Sequence, residues 1–213
     1  MKLFFLNSDK QFMKKDIKFI YFDVGGVLCK FKDSYKKFAD LVSCDVNKFD
    51  NSISKYYYLS CLGGLSTNDL WNLVSEDLEL KNKDSVDFED FFTENLVPIK
   101  ESFALIADLV KRYKIGILTN SQKGIFEKSL EKAKIPNVNY SAVIKSCDLG
   151  VMKPDSQIYK VAENKSGVSS GEILLIDDIE ENILTATSMG WHGVLFFTEN
   201  PEASIKNIRS TLE

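Results

Sequence analysis

A single histidine, His192, and four scattered cysteines, Cys29, Cys44, Cys61 and Cys147, are the only imidazole and thiol groups in the chain, and no two cysteines form a C-x-x-C pair. That spacing excludes a zinc-ribbon arrangement and fits free thiols in a reducing compartment. Nor is there a basic platform: 27 lysines and arginines against 31 acids leave a net charge of -4, with no cationic stretch interleaved with aromatics, so a nucleic-acid partner is disfavoured. No apolar run approaches the ~20 residues that span a bilayer. The short one at Leu3 to Leu6 is ended by polar residues long before a signal peptide's apolar region would be complete. A soluble, cytoplasmic protein is expected, with a packed or disordered N-terminal extension. Internal repeats and low-complexity tracts are absent too, and 213 residues suit one compact domain carrying an insertion.

What is present is an alternation. Ile17 to Phe22 is a continuous apolar run rich in β-branched and aromatic residues, suited to a strand buried on both faces of a parallel sheet. Similar runs lie at Ile115 to Leu118, Ala142 to Ile144, Ile173 to Ile176 and Val194 to Phe197. Helix-like patterns separate them: "SFALIADLVKRY", "KGIFEKSLEKA", "SQIYKVAENK" and "EENILTATSMG", the last closed by Gly190. This order predicts a doubly wound, Rossmann-like α/β fold. Between the first two strands, residues 31–98 read as successive helices, with Ser66 and Asp69 forming a capping box, and are best taken as an inserted helical subdomain. The core then comprises residues 1–30 and 99–213. Tyr56 to Leu59 and Trp71 are expected in the insertion's own core, with one or more of them facing the substrate as the alternative, Gly63-Gly64 in a turn between helices, and His192 at the surface or in packing.

In open α/β sheets ligands bind beyond the carboxyl ends of the strands. There the sequence places Asp23, Thr119 with Asn120, and Asp177 with Asp178; Lys153 precedes Pro154, which suits the first turn of a helix. Any one of these taken alone is more simply a cap or a helix start. Together they have a chemical logic. Clustered carboxylates repel unless a hard cation sits among them, and Mg²⁺ prefers one or two carboxylates, waters and phosphate oxygens. With Lys153 offsetting charge and Thr119 donating a hydrogen bond, Asp23 could attack phosphorus.

In order and spacing, "FDVGGVL", "ILTNS", the lysine of "GVMKPD" and "LLIDDIEEN" resemble the four motifs of the haloacid dehalogenase superfamily, and the insertion resembles its C1-type cap. The resemblance covers nearly all of the chain from Ile17 and implies a sheet of order 3-2-1-4-5, with an α-helical cap. It further implies Asp23 as nucleophile and metal ligand, Thr119 and Lys153 as catalytic partners, and Asn120, Gly25 and Gly26 around the substrate. Asp178, perhaps with Asp177, and the Gly25 carbonyl would complete a Mg²⁺ site. Family phosphatases usually carry a second aspartate where this chain has Gly25; that residue protonates the leaving oxygen, help worth ~10²–10⁴-fold.

The expected function is a Mg²⁺-dependent phosphatase of a small phosphorylated metabolite. A non-catalytic module binding a phospho-ligand or protein is the alternative that Gly25 favours. Two further readings rank lower. A 2-haloacid dehalogenase would replace the Asp177-Asp178 pair with Ser and Asn. A phosphonatase would need a cap lysine, for which Lys30, Lys32, Lys36 and Lys37 are undistinguished candidates.

Overall fold

The computed structural model describes residues 16–81 and 86–213; Leu3 to Leu6 and the side chain of Lys32 lie outside what it describes. Five parallel strands form the central sheet: β1 (Phe19–Phe22), β4 (Lys114–Thr119), β5 (Ala142–Lys145), β6 (Ile173–Asp177) and β7 (His192–Leu195). Their spatial order is β5-β4-β1-β6-β7. Setting aside a short two-stranded ribbon, β2 (Cys29–Lys30) with β3 (Val97–Pro98), this is the anticipated 3-2-1-4-5 winding.

The near-continuous burial of these strands follows from helices on both faces. Alternate residues point to opposite sides. Ile20, Phe22, Ile117, Leu174 and Ile176 pack with Leu105, Leu109 and Ile208, which belong to α5 (Lys100–Leu109) and α10 (Pro201–Leu212). Phe19, Tyr21, Leu118 and Leu175 meet Ile158, Tyr159, Ala162 and Ala186, from α8 (Ser156–Ser166) and α9 (Glu180–Ser188). Each buried Leu, Ile or Phe among them contributes roughly 1.5–3 kcal/mol.

Some boundaries differ from the sequence pattern. The last strand begins and ends two residues earlier than Val194 to Phe197. Phe196 still donates its N–H to the Asp177 carbonyl (2.8 Å), after which the chain turns away and leaves Phe197 55% exposed. Pro154 is not in the first turn of a helix. Asp155 caps α8 by accepting from the Gln157 N–H at 2.8 Å, so the helix starts at Ser156. The Lys153–Pro154 peptide is cis.

Between β2 and β3 run α1 (Lys32–Leu41), α2 (Val46–Cys61), α3 (Thr67–Asp77) and α4 (Phe88–Glu94). The Ser66–Asp69 capping box opens α3. These helices have their own core, in which the Phe38 ring lies 4.8–5.2 Å from the rings of Phe49, Trp71, Phe88 and Phe91. Because β2 and β3 pair antiparallel, the segment leaves and rejoins the sheet layer through one stem. It touches the layer again elsewhere. Ser146 Oγ donates to the Cys61 carbonyl (2.6 Å), and Lys123 Nζ donates to the Gly63 carbonyl (2.9 Å). Lys128 and Lys132 of α6 (Ile125–Glu131) and the residue after it face Asp90 on α4.

Candidate active site

Parallel strands that end side by side bring their following residues together. Asp23 leaves β1, Asp177 ends β6, and Asp178 follows it; oxygen atoms from all three lie within 4.8 Å of one another. Lys153 enters from the loop after α7 (Ser146–Leu149), and its side chain is wholly buried. Its Nζ is 2.6 Å from Asp177 Oδ2 and 3.1 Å from Asp23 Oδ1. Burial alone would lower the Lys153 pKa, but the Asp23 and Asp177 carboxylates outweigh it and hold the ammonium above its ordinary range. One buried cation against three acids leaves a net negative site.

The acids are not equivalent. Asp177 is fully committed: besides Lys153, its Oδ1 accepts from the Ile179 N–H and from Asn182 Nδ2, both at 2.9 Å. Tyr159 in turn donates to the Asn182 carbonyl (3.0 Å). Asp23 uses Oδ1 for both Lys153 and the Val24 N–H (2.7 Å), so Oδ2 is the oxygen left for chemistry. Burial, opposed by Lys153 and reinforced by Asp177, raises Asp23 to about 6. Asp178 is half-buried, and burial with the charges of Asp23 and Asp177 raises it to about 7. Raised carboxyl pKa values at a cluster of oxygen donors fit a hard divalent cation, which would hold these groups ionised.

Gly26 explains how Asp178 comes so close. Its φ is +71°, and a Cβ there would overlap the Asp178 carboxylate, so only glycine fits. Thr198 Oγ1 donates to the Gly26 carbonyl (2.7 Å) and pins the turn. Asn120 lines the cavity beside Thr119 and is held in place by the backbone of Lys153. Its amide pairs reciprocally with the Lys153 backbone, accepting from the N–H at 2.8 Å and donating to the carbonyl at 2.9 Å.

Gly25 borders a cavity of about 70 Å³ together with Thr119, Phe31, Tyr35, Tyr57 and Phe92. A Cβ on Gly25 would meet Phe31 ring carbons at 3.2 and 3.5 Å. The place of a second motif-one aspartate is therefore bordered by an aromatic ring. Of the residues expected in the insertion's core or facing the substrate, Tyr57 lines this cavity, Tyr58 and Leu59 are exposed, and Tyr56 joins Trp71 in the insertion's core. Gly63 and Gly64 do form the turn between α2 and α3, with Gly63 packed against the Cys147 carbonyl. His192, at the start of β7 and so at the opposite end of the sheet, contacts the Gly171 carbonyl at 3.1 Å. Of the lysines considered for a Schiff base, Lys30 pairs with Glu199 and Lys36 with Asp40, and Lys37 is exposed. The four cysteines are unpaired thiols. Asn182 and Phe31 were missed as site residues, although Asn182 ends the "DDIEEN" stretch and sits in the first turn of α9.

A parallel sheet whose strand ends gather a lysine and three carboxylates defines a Rossmann-like hydrolase core. The profile described as "haloacid dehalogenase-like hydrolase" matches residues 20–196, and the chain belongs to that family. Among curated proteins it is 23% identical over 131 residues to mouse (Mus musculus) acyl-CoA dehydrogenase family member 10. That match covers 54% of this chain but only 12% of the mouse protein. A HAD family enzyme from Bacteroides thetaiotaomicron superposes with a TM-score of 0.70 at 18% identity, covering 85% of this chain and 94% of that one. The same enzyme has been solved in complex with magnesium and inorganic phosphate. The L-2-haloacid dehalogenase of Xanthobacter autotrophicus, with chloropropionic acid covalently bound, gives a TM-score of 0.62 at 19% identity, over 84% and 77% of the two chains. Among the described residues, no helix is long and apolar enough to cross a membrane.

Proposed function

We propose that this hydrolase is a Mg²⁺-dependent phosphatase of a small phosphorylated metabolite, acting through an aspartyl-phosphate on Asp23. The observation that carries the reading is the placement of Lys153 Nζ between Asp23 and Asp177, with Asp178 alongside. Asp23, Asp178 and the Gly25 carbonyl would hold the metal. Bound there, Mg²⁺ would neutralise phosphoryl oxygens and the clustered acids. Asp23 Oδ2 attacks phosphorus while the bond to the leaving oxygen breaks and its electron pair departs with it. Lys153 offsets charge on the phosphoryl group, and Thr119, at the end of β4, hydrogen-bonds to it. Water then attacks phosphorus, freeing phosphate and restoring the Asp23 carboxylate, with its proton leaving on phosphate or to solvent. Asp177 is a positioning residue: its oxygens are occupied by Lys153, Ile179 and Asn182.

The helices between β2 and β3 would act as a cap, residues 31–98 over a core of 1–30 and 99–213, since they supply Tyr35, Tyr57 and Phe92 to the cavity. Support for metal and phosphate comes also from the Bacteroides relative's complex with both. The dehalogenase reading draws on the Xanthobacter neighbour and on an apolar cavity, but a haloacid brings its own carboxylate into a site that is already net negative. Phosphate release from a metabolite panel with Mg²⁺, abolished by Asp23→Asn and by EDTA, is the expected result. Activity indifferent to both overturns the reading; chloride release from 2-chloropropionate without metal favours the dehalogenase. Beryllium fluoride with Mg²⁺ stabilising the fold, but no turnover, favours a phospho-ligand binding module.

A further inference from the structure

Among the described residues, the cavity that Val24 and Gly25 border beside Asp23 is lined without a charged side chain. The rings of Phe31, Tyr35, Tyr57, Phe92 and Phe126 line it, and so does the uncharged polar stretch 119–122. Resting on the phosphatase reading, we infer that the substrate joins its phosphate to a small, uncharged, apolar or aromatic body through an oxygen that leaves as a weakly basic oxyanion, as in aryl phosphates and acyl phosphates.

Three observations converge on this class. Size comes first: the cavity is small, about 70 Å³, which suits a single ring or a short acyl chain. The second is charge. A second phosphate or a carboxylate on the body would be buried against aromatic walls with no cation to pair it, at a cost of several kcal/mol per ion. Aromatic walls instead favour a ring or a short carbon chain, through apolar burial and offset or edge contacts.

The third is the proton. A strongly basic alkoxide needs an acid at its side when the bond to phosphorus breaks. Among the described residues, no carboxyl, imidazole or ammonium lines the cavity, and the Phe31 ring borders the space an acid at position 25 would enter. What remains are phenols and a thiol. Burial holds Tyr35 and Tyr57 above the ordinary phenol range. Such groups are poorly matched to proton transfer near neutral pH, whereas a weakly basic oxyanion leaves without one.

The full chain with Mg²⁺ is assayed on p-nitrophenyl, phenyl, acetyl and glucose 6-phosphates, alongside Asp23→Asn. Expected is kcat/KM about 10²-fold or more higher for p-nitrophenyl than for phenyl phosphate, since the poorer leaving group loses the help a general acid would give, with glucose 6-phosphate below both. Acetyl phosphate leading the series identifies the acyl source, and p-nitrophenyl phosphate leading identifies the aryl one. Equal kcat/KM for the two aryl esters, or a leading glucose 6-phosphate, overturns this inference and leaves the phosphatase intact. No Asp23-dependent phosphate release from any of the four, with none from the wider metabolite panel, overturns both. Binding gives a readout apart from turnover: phenyl phosphate should raise the Tm of Asp23→Asn in Mg²⁺, and fructose 1,6-bisphosphate should not. Protection by the bisphosphate alone also sinks the inference.

Discussion

Lys153 Nζ and Asp177 Oδ2 meet at 2.6 Å with both side chains wholly buried, so the ammonium that faces Asp23 is held from behind by an equally buried acid. Breaking a buried pair strands a charge, at a cost of about 3–5 kcal/mol. Asp177→Ala should lose about that much in urea unfolding, because Asn182 and the Ile179 N–H also lose their acceptor. Asn182→Ala should cost less, about 1–3 kcal/mol, by leaving one buried acceptor short of a partner. Equal losses for the two variants would contradict the central place given to Asp177.

Gly26 offers a cleaner separation of metal binding from folding. Alanine there must adopt a φ of +71° and share space with the Asp178 carboxylate. The backbone penalty alone is roughly 1–2 kcal/mol, and the carboxylate must move. Gly26→Ala is expected to fold with a lowered Tm but to lose most of the Mg²⁺-induced rise in Tm seen for the native chain. An undiminished rise would remove Asp178 from the metal site.

Acidity gives an independent handle. The Asp178 carboxyl stands at about 7 in the fold against an ordinary 3.8, and Asp23 at about 6. For an acid raised on folding, the unfolded chain releases the proton first, so the metal-free protein loses stability as pH rises from about 4 to about 7 and levels off above that. Differential melting of native and Asp178→Asn proteins in EDTA should therefore diverge over that window, the variant gaining relative to the native chain. With Mg²⁺ present, protons compete with the cation, and its stabilisation should shrink as pH falls below about 7. A difference between the two proteins that does not change with pH would mean Asp178 titrates normally.

The parts of this site that could be read in advance are those where chemistry and local pattern coincide. Apolar strands that lead into Asp23, Thr119 and Asp177 announce their own carboxyl ends, while the strand order is implied by the family resemblance, with which right-handed crossovers are consistent. What could not be read depends on contacts between distant segments. Asn120 is polar and beside Thr119, yet its amide is taken by the Lys153 backbone, 33 residues away in sequence. In "YYYL", adjacent helical residues differ by about 100° in direction; Tyr56 faces the helical core, Tyr57 the cavity and Tyr58 solvent. Composition cannot make that choice, because it depends on how α2 packs over the sheet.

Phe31 is the consequential case, because it alters what an obvious repair would do. By the motif alone, restoring the missing acid with Gly25→Asp would speed hydrolysis of alkyl phosphates. The backbone permits it, as Gly25 does not occupy the left-handed region, but the new Cβ meets the Phe31 ring at 3.2 Å. Phe31 is 38% exposed, so its ring can swing outward, though only by giving up contact with Tyr35, whose ring centroid is 6.1 Å away. Gly25→Asp alone should therefore gain little on alkyl phosphates and lower the Tm. Gly25→Asp with Phe31→Ala should gain substantially more, up to the ~10²–10⁴-fold that general acid help supplies, and should flatten the difference between p-nitrophenyl and phenyl phosphate. Parallel kinetics on both variants and on Phe31→Ala alone separate the acid from the space it needs. If Phe31→Ala by itself matches the double variant, the ring limits access to the cavity and the missing proton donor is not what slows the enzyme.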